Sequence, residues 1–164
     1  MHPAALTPAD LLKQVTETRT KRSGPGGQHR NKTETAVVLV HRPTGISAEG
    51  SERRSHVENR QFALRRLRLK LAVELREPAA IRISGTWLAR VRARQLVIAS
   101  SHEDFPALLA EALDHLHEAQ WQVSPAAHKL NVTTSQLIGL FKKAPAAWAA
   151  VNKHRLAIGL PALR

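Results

Sequence analysis

The chain has 164 residues, enough for one domain or two small ones, and its 25 Lys/Arg against 13 Asp/Glu give a formal net charge of +12 at pH 7. The absence of cysteine excludes disulfide bonds and cysteine-ligated zinc, and no apolar run approaches the roughly 18 residues of a membrane span. The first 20 residues carry Asp10 and Glu17 and lack the apolar core of a signal peptide. We therefore predict a soluble, cytoplasmic protein that binds no membrane.

The positive charge is concentrated toward the N-terminus. Residues 1–98 hold 19 Lys/Arg and 8 Asp/Glu, whereas residues 99–164 hold 6 and 5. Such an excess favours a polyanionic partner. Because tyrosine is absent and Phe and Trp number three each, contacts with nucleic-acid phosphates are expected rather than stacking on bases.

The first predicted element is a helix that begins at Thr7. Thr7 is a typical N-cap, Pro8 suits the first turn and Asp10 completes a capping box. Three apolar residues at helical spacing follow: Leu11, Leu12 and Val15. We expect this helix to fade over residues 18–22.

A glycine-rich loop follows at Ser23–Thr33. Three glycines and a proline fall within four residues, and polar and basic side chains come after them. Glycine adopts positive φ without a Cβ clash and allows another molecule to approach closely, while Pro25 stiffens the chain. We expect an exposed, positively charged loop that presents backbone N–H groups to an anionic or oxygen-rich ligand.

Residues Glu34–Arg42 are predicted to form a strand rich in Thr and Val, with apolar side chains at both parities. This pattern indicates burial on both faces, or one face under a helix. Pro43 and Gly45 mark a turn, and Ile46–Glu49 would be the returning strand of a hairpin. The glycine loop would thus be held by a rigid base.

The longest predicted helix begins with the capping box Ser55–Glu58 and ends near Glu77 and Pro78. Its apolar face is predicted to contain Val57, Leu64, Leu67, Leu71 and Leu75. Basic side chains crowd the remaining faces and the approach to the helix: Arg53, Arg54, Arg60, Arg65, Arg66, Arg68 and Lys70. They form either a solvated face or a surface that contacts RNA phosphates.

The remainder is predicted to be a basic linker with short strands over residues 79–100 and an all-α bundle over residues 101–164. Helices are expected over Phe105–Gln120, from Ser124, around Leu137, and from Ala144 to Gly159. Residues 126–137 have the pattern of a helix-turn-helix, and a plain packing domain is the open alternative. The near-neutral charge of this part argues against tight DNA binding.

Within the glycine loop, the tripeptide Gly26-Gly27-Gln28 supplies hydrogen bonds but no proton transfer. A glutamine amide is neither an acid nor a base near neutral pH. Backbone N–H groups at Gly27 and Gln28 can donate to an oxyanion, and the Gln28 side chain can orient a water molecule. Such a loop promotes hydrolysis only where the other reacting groups are already aligned.

Four motifs in order resemble class I peptide chain release factors. Arg22–His29 resembles their GGQ loop, Asn31–Val37 their Asn-Lys-Thr-Asp-Ser-Ala-Val run, His41–Ile46 their His-x-Pro-Thr-Gly-Ile turn and Glu52–Asn59 the start of their long helix. The resemblance covers residues 11–76. Arg30 and His56 stand where the family usually has Val and Gln, which affects packing or ribosome contacts more than chemistry.

The resemblance implies an α+β fold: a GGQ catalytic domain over residues 1–78, then the linker and the helical domain. It implies hydrolysis of peptidyl-tRNA at the ribosomal peptidyl transferase centre, without cofactor or metal and as a monomer. Gly26 and Gly27 would set the backbone, and Gln28 would contact the transition state and be a candidate for N5-methylation by a glutamine methyltransferase. The implied RNA contacts are Arg22, Arg30, Lys32, Arg53, Arg54, Arg65, Arg66, Arg68 and Lys70.

Because only 25 residues precede Gly26, we expect no codon-reading domain on that side, a layout that resembles codon-independent ribosome-rescue factors. The stalled state that is recognised and the role of residues 101–164 stay open. One alternative is a non-catalytic ribosome-binding protein with a GGQ-like docking domain. A phosphate-binding loop is disfavoured, because Asn31 stands where that motif needs its second glycine.

Overall fold

The computed structural model describes residues 1–20, 36–79 and 82–164. These residues divide into two compact units. The sheet unit is Leu6–Leu71, and the helical unit combines Met1–Ala5 with Ala72–Arg164. The mixture of helices and antiparallel strands agrees with the predicted α+β class. No helix in the described ranges is long and apolar enough to cross a membrane.

The division differs from the predicted boundaries at residues 78 and 100, because it falls inside the longest helix, between Leu71 and Ala72. The assignment of a separate catalytic domain and helical domain remains a prediction.

The sheet unit contains α1 (Pro8–Leu12), β1 (Val15–Thr20), β2 (Ala36–His41), β3 (Ser47–Gly50) and most of α2 (His56–Glu74). The strands form one antiparallel sheet in the order β1-β2-β3. The Thr7 cap is confirmed, since its hydroxyl accepts a hydrogen bond from the Asp10 N–H. The predicted continuation of this helix toward residue 18 is wrong. Four of the six residues of β1 are β-branched, and this composition favours the strand.

The sheet packs one face against α2. Val37 and Leu39 on β2 are fully buried, as are Ala63, Leu67 and Leu71 on α2. The buried row of α2 therefore repeats every four residues and begins at Asn59. The predicted apolar face was wrong at Val57, which is 64 % exposed.

The helical unit contains α3 (Gly85–Arg90), β4 (Val91–Arg92), β5 (Gln95–Leu96), α4 (Phe105–Glu118), α5 (Val123–Lys129), α6 (Thr134–Lys142) and α7 (Pro145–Ala157), with a 3-10 turn at Pro3–Ala5. The predicted helices after residue 100 are confirmed. α5 begins one residue before Ser124, and Gly159 follows α7 with a positive φ of 81°. The core is apolar and includes Trp87, Phe105, Leu113, Leu130 and Phe141.

Residues 82–100 belong to the helical unit and are not an isolated linker. Ser84 caps α3, and the fully buried Trp87 donates its indole N–H to the carbonyl of Leu130 at 2.9 Å. Sequence reasoning missed α3. Short strands were predicted in this range and are present as β4 and β5.

Three carboxylates of α4 fasten the chain that precedes α3. Glu111 accepts from the Ser84 N–H and hydroxyl at 2.8 and 2.6 Å. Asp114 accepts from the Arg76 guanidinium at 2.9 Å and from the Glu77 N–H at 3.2 Å. Glu118 accepts from the Ala79 N–H at 2.8 Å. At spacings of three and four residues, these carboxylates lie on one side of α4 and hold residues 76–79 and Ser84 against it.

Asp114 makes the stability of the helical unit depend on pH. Burial raises the pKa of its carboxyl from 3.8 to about 6, and the Glu77 N–H and the Arg76 charge only partly offset this. The folded state therefore holds an extra proton between about pH 4 and pH 6, so its stability falls as pH rises through that window. Between pH 4 and pH 7, we expect Asp114 to lower the free energy of unfolding of wild type by about 2–3 kcal/mol. Asp114→Asn should abolish this fall.

Urea unfolding followed by tryptophan fluorescence measures this effect, because all three tryptophans belong to the helical unit. The quantity to compare is the difference between wild type and variant. Burial lowers the pKa values of His2, His115 and His154. These groups therefore act in the opposite sense, because they make the folded state less stable as pH falls below about 6.5. An identical pH dependence in both proteins would show that Asp114 does not carry the effect.

Candidate functional site

The candidate catalytic residues Gly26, Gly27 and Gln28 lie outside the described residues, as do Arg22, Arg30 and Lys32. The structure does describe the two strand ends that bound them. Thr20 ends β1, Ala36 begins β2, and the two residues are partners in the antiparallel register. The two described strand ends on either side of residues 21–35 are therefore neighbours in the sheet.

The base of this connection is firmly packed. β2 is the central strand, hydrogen-bonded to β1 on one side and to β3 on the other. Ala36, Val37 and Leu39 are buried at its start. A strand paired on both sides and buried under a helix opens rarely, so this end of the loop segment has a fixed position.

At the far end of the sheet, His41 organises the predicted turn. Its ring is buried, with Nδ1 2.8 Å from the Thr44 hydroxyl and Nε2 3.0 Å from the Gln14 side-chain oxygen. Both contacts fit a neutral ring whose Nε2–H donates to Gln14 and whose Nδ1 accepts from Thr44. Burial lowers the pKa of His41, which favours this form. The side chain of Arg42 donates to the carbonyls of Lys13 and Val15 and so ties the turn to the start of β1.

Glu17 links β1 to α2 on the helix-facing side of the sheet. It accepts a hydrogen bond from Arg60 Nε at 2.7 Å, and its second oxygen lies 3.3 Å from His56 Nε2. The hydrogen bond from Arg60 lowers the pKa of Glu17, against an opposing effect of burial. His56, the departure from the family pattern, thus stands beside a carboxylate. Arg19 is an exposed cation of β1 that sequence reasoning missed, because this stretch was expected to be the fading end of a helix.

Arg53, Arg54 and Arg65 are exposed predicted RNA contacts of the sheet unit, as are Arg66 and Lys70, which are described below. The backbone of Arg53 is held on both sides by the buried Asn59 side chain, which accepts from its N–H at 2.8 Å and donates to its carbonyl at 2.7 Å. Its guanidinium lies 6.0 Å from the centre of the Phe62 ring. This segment is therefore fixed, and its cations stand at its surface.

The other three predicted contacts have structural roles. Arg66 pairs with Glu52 at 2.5 Å and donates to the carbonyl of Glu49 at 2.8 Å. Lys70 donates to the carbonyl of Ser47 at 2.8 Å, so both cations tie α2 to β3, an outer strand. Arg68 is only 7 % exposed, because it flanks the buried row of α2, and its role as an RNA contact stays a prediction.

The described residues bring no group of three His, Asp or Glu side chains together as a metal ion would need. The tripeptide Gly26-Gly27-Gln28, to which the sequence assigns the chemistry, lies outside the described residues.

A family model described as the RF-1 domain matches residues 10–95, which is more than half of the chain. The chain therefore belongs to the class I peptide chain release factor family, which has the GGQ domain.

Individual relatives agree with this membership. The chain is 41 % identical over 98 residues to "Peptide chain release factor 1-like, mitochondrial" of Rattus norvegicus, covering 52 % of this chain and 26 % of the rat protein. It is 42 % identical over 80 residues to "Peptide chain release factor 1" of Geobacter sulfurreducens, covering 49 % and 21 %. A 49-residue match to the same-named protein of Malacoplasma penetrans reaches 55 % identity, covering 30 % and 14 %. The chain thus spans about a quarter or less of the length of these relatives.

Proposed function

We propose that this protein hydrolyses the ester bond of ribosome-bound peptidyl-tRNA. The observation that carries the proposal is the RF-1 domain match over residues 10–95, which includes Gly26-Gly27-Gln28 between two paired strands. In the proposed step, water attacks the ester carbonyl carbon. The bond to the tRNA ribose oxygen breaks, that oxygen takes a proton, and the peptide leaves as a carboxylate.

The contribution of the loop is electrostatic. Gly26 and Gly27 would let the backbone approach the ester, and the Gln28 N–H would donate to the oxyanion that develops on the carbonyl oxygen. One well-placed donor of this kind is worth about 3–4 kcal/mol of transition-state stabilisation. The remaining reacting groups come from the ribosomal centre and the tRNA, and Gln28 is a candidate for N5-methylation.

Contacts with RNA phosphates would hold the sheet unit in place. We propose Arg22, Arg30, Lys32, Arg53, Arg54 and Arg65 for this role, and we assign Arg66 and Lys70 chiefly to holding β3. Removing the charges of Arg53, Arg54 and Arg65 together by substitution with glutamine is expected to reduce the salt slope of ribosome binding by about 2–3, since each lost phosphate contact lowers it by about 0.7–0.9. Binding titrations across a salt series measure this slope. A slope equal to that of wild type would remove these residues from the interface.

We further propose that release is independent of a codon, that the protein acts as a monomer, and that it works in the cytoplasm. The test is peptide release from ribosomes carrying radiolabelled peptidyl-tRNA, with a stop codon, a sense codon or no codon in the A site, and from split large subunits that retain the tRNA. Comparable release with every codon and with none supports the proposal. Release with stop codons alone would contradict codon independence.

The second candidate function is docking on the ribosome without catalysis. This alternative is supported by the described cations of the sheet unit, because they could bind RNA whether or not the loop promotes hydrolysis. Binding to each of these complexes with no release from any of them would establish this alternative. Fast cleavage of simple esters without ribosomes would exclude both, because the loop would then not depend on an RNA centre.

A further inference from the structure

The near-neutral sum of charge over residues 99–164 conceals a separation of charge. All five acidic residues lie between residues 103 and 118, and residues 119–164 contain six Lys/Arg and no Asp/Glu. These carboxylates are engaged within the helical unit. Asp104 pairs with Arg90 at 3.0 Å, and Glu111, Asp114 and Glu118 hold residues 76–79 and Ser84. The partners of these carboxylates lie within the helical unit. The later helices α5, α6 and α7 therefore present cations that have no acidic neighbours in sequence.

The hairpin of β4 and β5 adds two arginines beside this region. Its two-residue turn, Ala93 and Arg94, has φ values of 47° and 63°, a conformation that usually selects Asn or Gly. The turn keeps this strained form because it is bonded to the start of α6. The Arg94 carbonyl accepts from the Thr133 N–H at 3.2 Å, and its guanidinium donates to the Val132 carbonyl at 3.2 Å.

These contacts bring exposed polar and basic residues to one place. The residues share exposure and lie either in the hairpin or at the turn that joins α5 and α6, and we call them the hairpin–turn surface: Arg92, Arg94, Gln95, Lys129, Asn131 and Thr134. The set has three cations, two amides and a hydroxyl, and no carboxylate. It also has no aromatic side chain, so it suits a phosphate backbone and not the stacking of bases.

The same contacts argue against reading DNA. In a DNA-binding helix-turn-helix the start of the second helix enters the major groove. Here the first turn of α6 is occupied by the hairpin, because the side-chain oxygen of Gln136 accepts from the Leu96 N–H at 3.2 Å and Thr133 is bonded to Arg94. α5 and α6 are joined by a short turn that contains Asn131 at φ 52°, and their identity as a helix-turn-helix stays a prediction. The part of α6 that would enter the groove in such a motif is covered by the hairpin.

We propose that the hairpin–turn surface binds the phosphate backbone of ribosomal RNA and gives the protein a second anchor on the ribosome. The choice of ribosomal RNA rests on the proposed function. The surface itself rests on the bonded hairpin, the exposed cations and the charge separation. It assigns a role to the helical unit, and the sequence alone left the role of residues 101–164 open.

The test compares Arg92→Gln/Lys129→Gln with a control of equal charge change, Lys153→Gln/Arg164→Gln, also exposed and in the helical unit. Arg94 is left intact because its guanidinium donates to the Val132 carbonyl, and its replacement would remove that bond as well as a charge. Binding of full-length chains to large ribosomal subunits is measured across a salt series. We expect the first variant to bind about 10-fold more weakly near 150 mM salt, with a slope lower by about 1.5–2, and the control to match wild type.

Equal losses in both variants, or none in either, would overturn the proposal. Tighter binding of wild type to duplex DNA than to ribosomal subunits would also overturn it. The assay needs no hydrolysis, so it can be run on a Gly27→Ala background. If wild type binds as expected but releases no peptide, the proposed hydrolysis is refuted and the proposed binding surface is still supported.

Discussion

Replacing Gln28 with proline is expected to lower the rate of peptide release at saturating protein by about 10²- to 10³-fold. Proline removes the backbone N–H that we propose stabilises the oxyanion, and it leaves the phosphate contacts of the rest of the chain in place. Single-turnover release from ribosomes with bound peptidyl-tRNA, at several protein concentrations, separates this rate from binding. A loss at saturation with unchanged half-saturation would assign the effect to the transition state.

The matched control is Gln28→Ala, which keeps the N–H and removes the side chain. We expect it to be clearly faster than Gln28→Pro, because alanine retains the donor that carries most of the proposed stabilisation. Equal loss in both variants would transfer the role from the backbone to the side-chain amide. Undiminished release by Gln28→Pro would remove the catalytic assignment of the tripeptide.

Replacing Gly50 with alanine is expected to destabilise the sheet unit by about 3 kcal/mol or more. Gly50 ends β3 where the backbone of α2 crosses it. An added Cβ would overlap the carbonyl oxygen of Asn59 and lie 2.9 Å from the backbone nitrogen of Ala63. Neither atom can move without shifting the helix that buries the sheet, so the cost cannot be relieved by a side-chain rotation. Hydrogen exchange of peptides from β2, β3 and α2 measures the loss where it occurs.

Gly139→Ala is the matched control for this substitution. Gly139 lies in α6 and no atom lies within 4 Å of a Cβ built there, so alanine should be accommodated and stabilise by about 0.5–1 kcal/mol. Far-UV circular dichroism in urea compares both variants with wild type. If Gly50→Ala proved as stable as wild type, the close approach of β3 and α2 would not exist as described.

Local rules recovered much of the secondary structure from the sequence. Thr7 was expected to be an N-cap and is, because a hydroxyl that accepts from the N–H three residues later acts locally. The hairpin of β2 and β3 followed from the run of Thr and Val and from Pro43 and Gly45 in the turn. β1 was missed because Leu11, Leu12 and Val15 also fit helical spacing, and only pairing with β2 decides that residues 15–20 are a strand.

The roles of the basic residues show the limit of sequence reasoning. Arg53, Arg66 and Arg68 look alike in a run of cations near α2. Tertiary packing exposes the first, pairs the second with Glu52, and buries the third. The same applies to the carboxylates of α4, because only tertiary packing brings Glu77 and Ser84 beside them.

The sequence by itself determined the membership in a release factor family and the candidate tripeptide, because an ordered set of short motifs and the amide chemistry of glutamine do not depend on long-range contacts. Tertiary structure alone decided which cations remain at the surface and that Gly50 must lack a side chain. It also decided that the hairpin at Ala93 and Arg94 covers the start of α6. Each of these depends on the meeting of segments far apart in the chain, which no local pattern records.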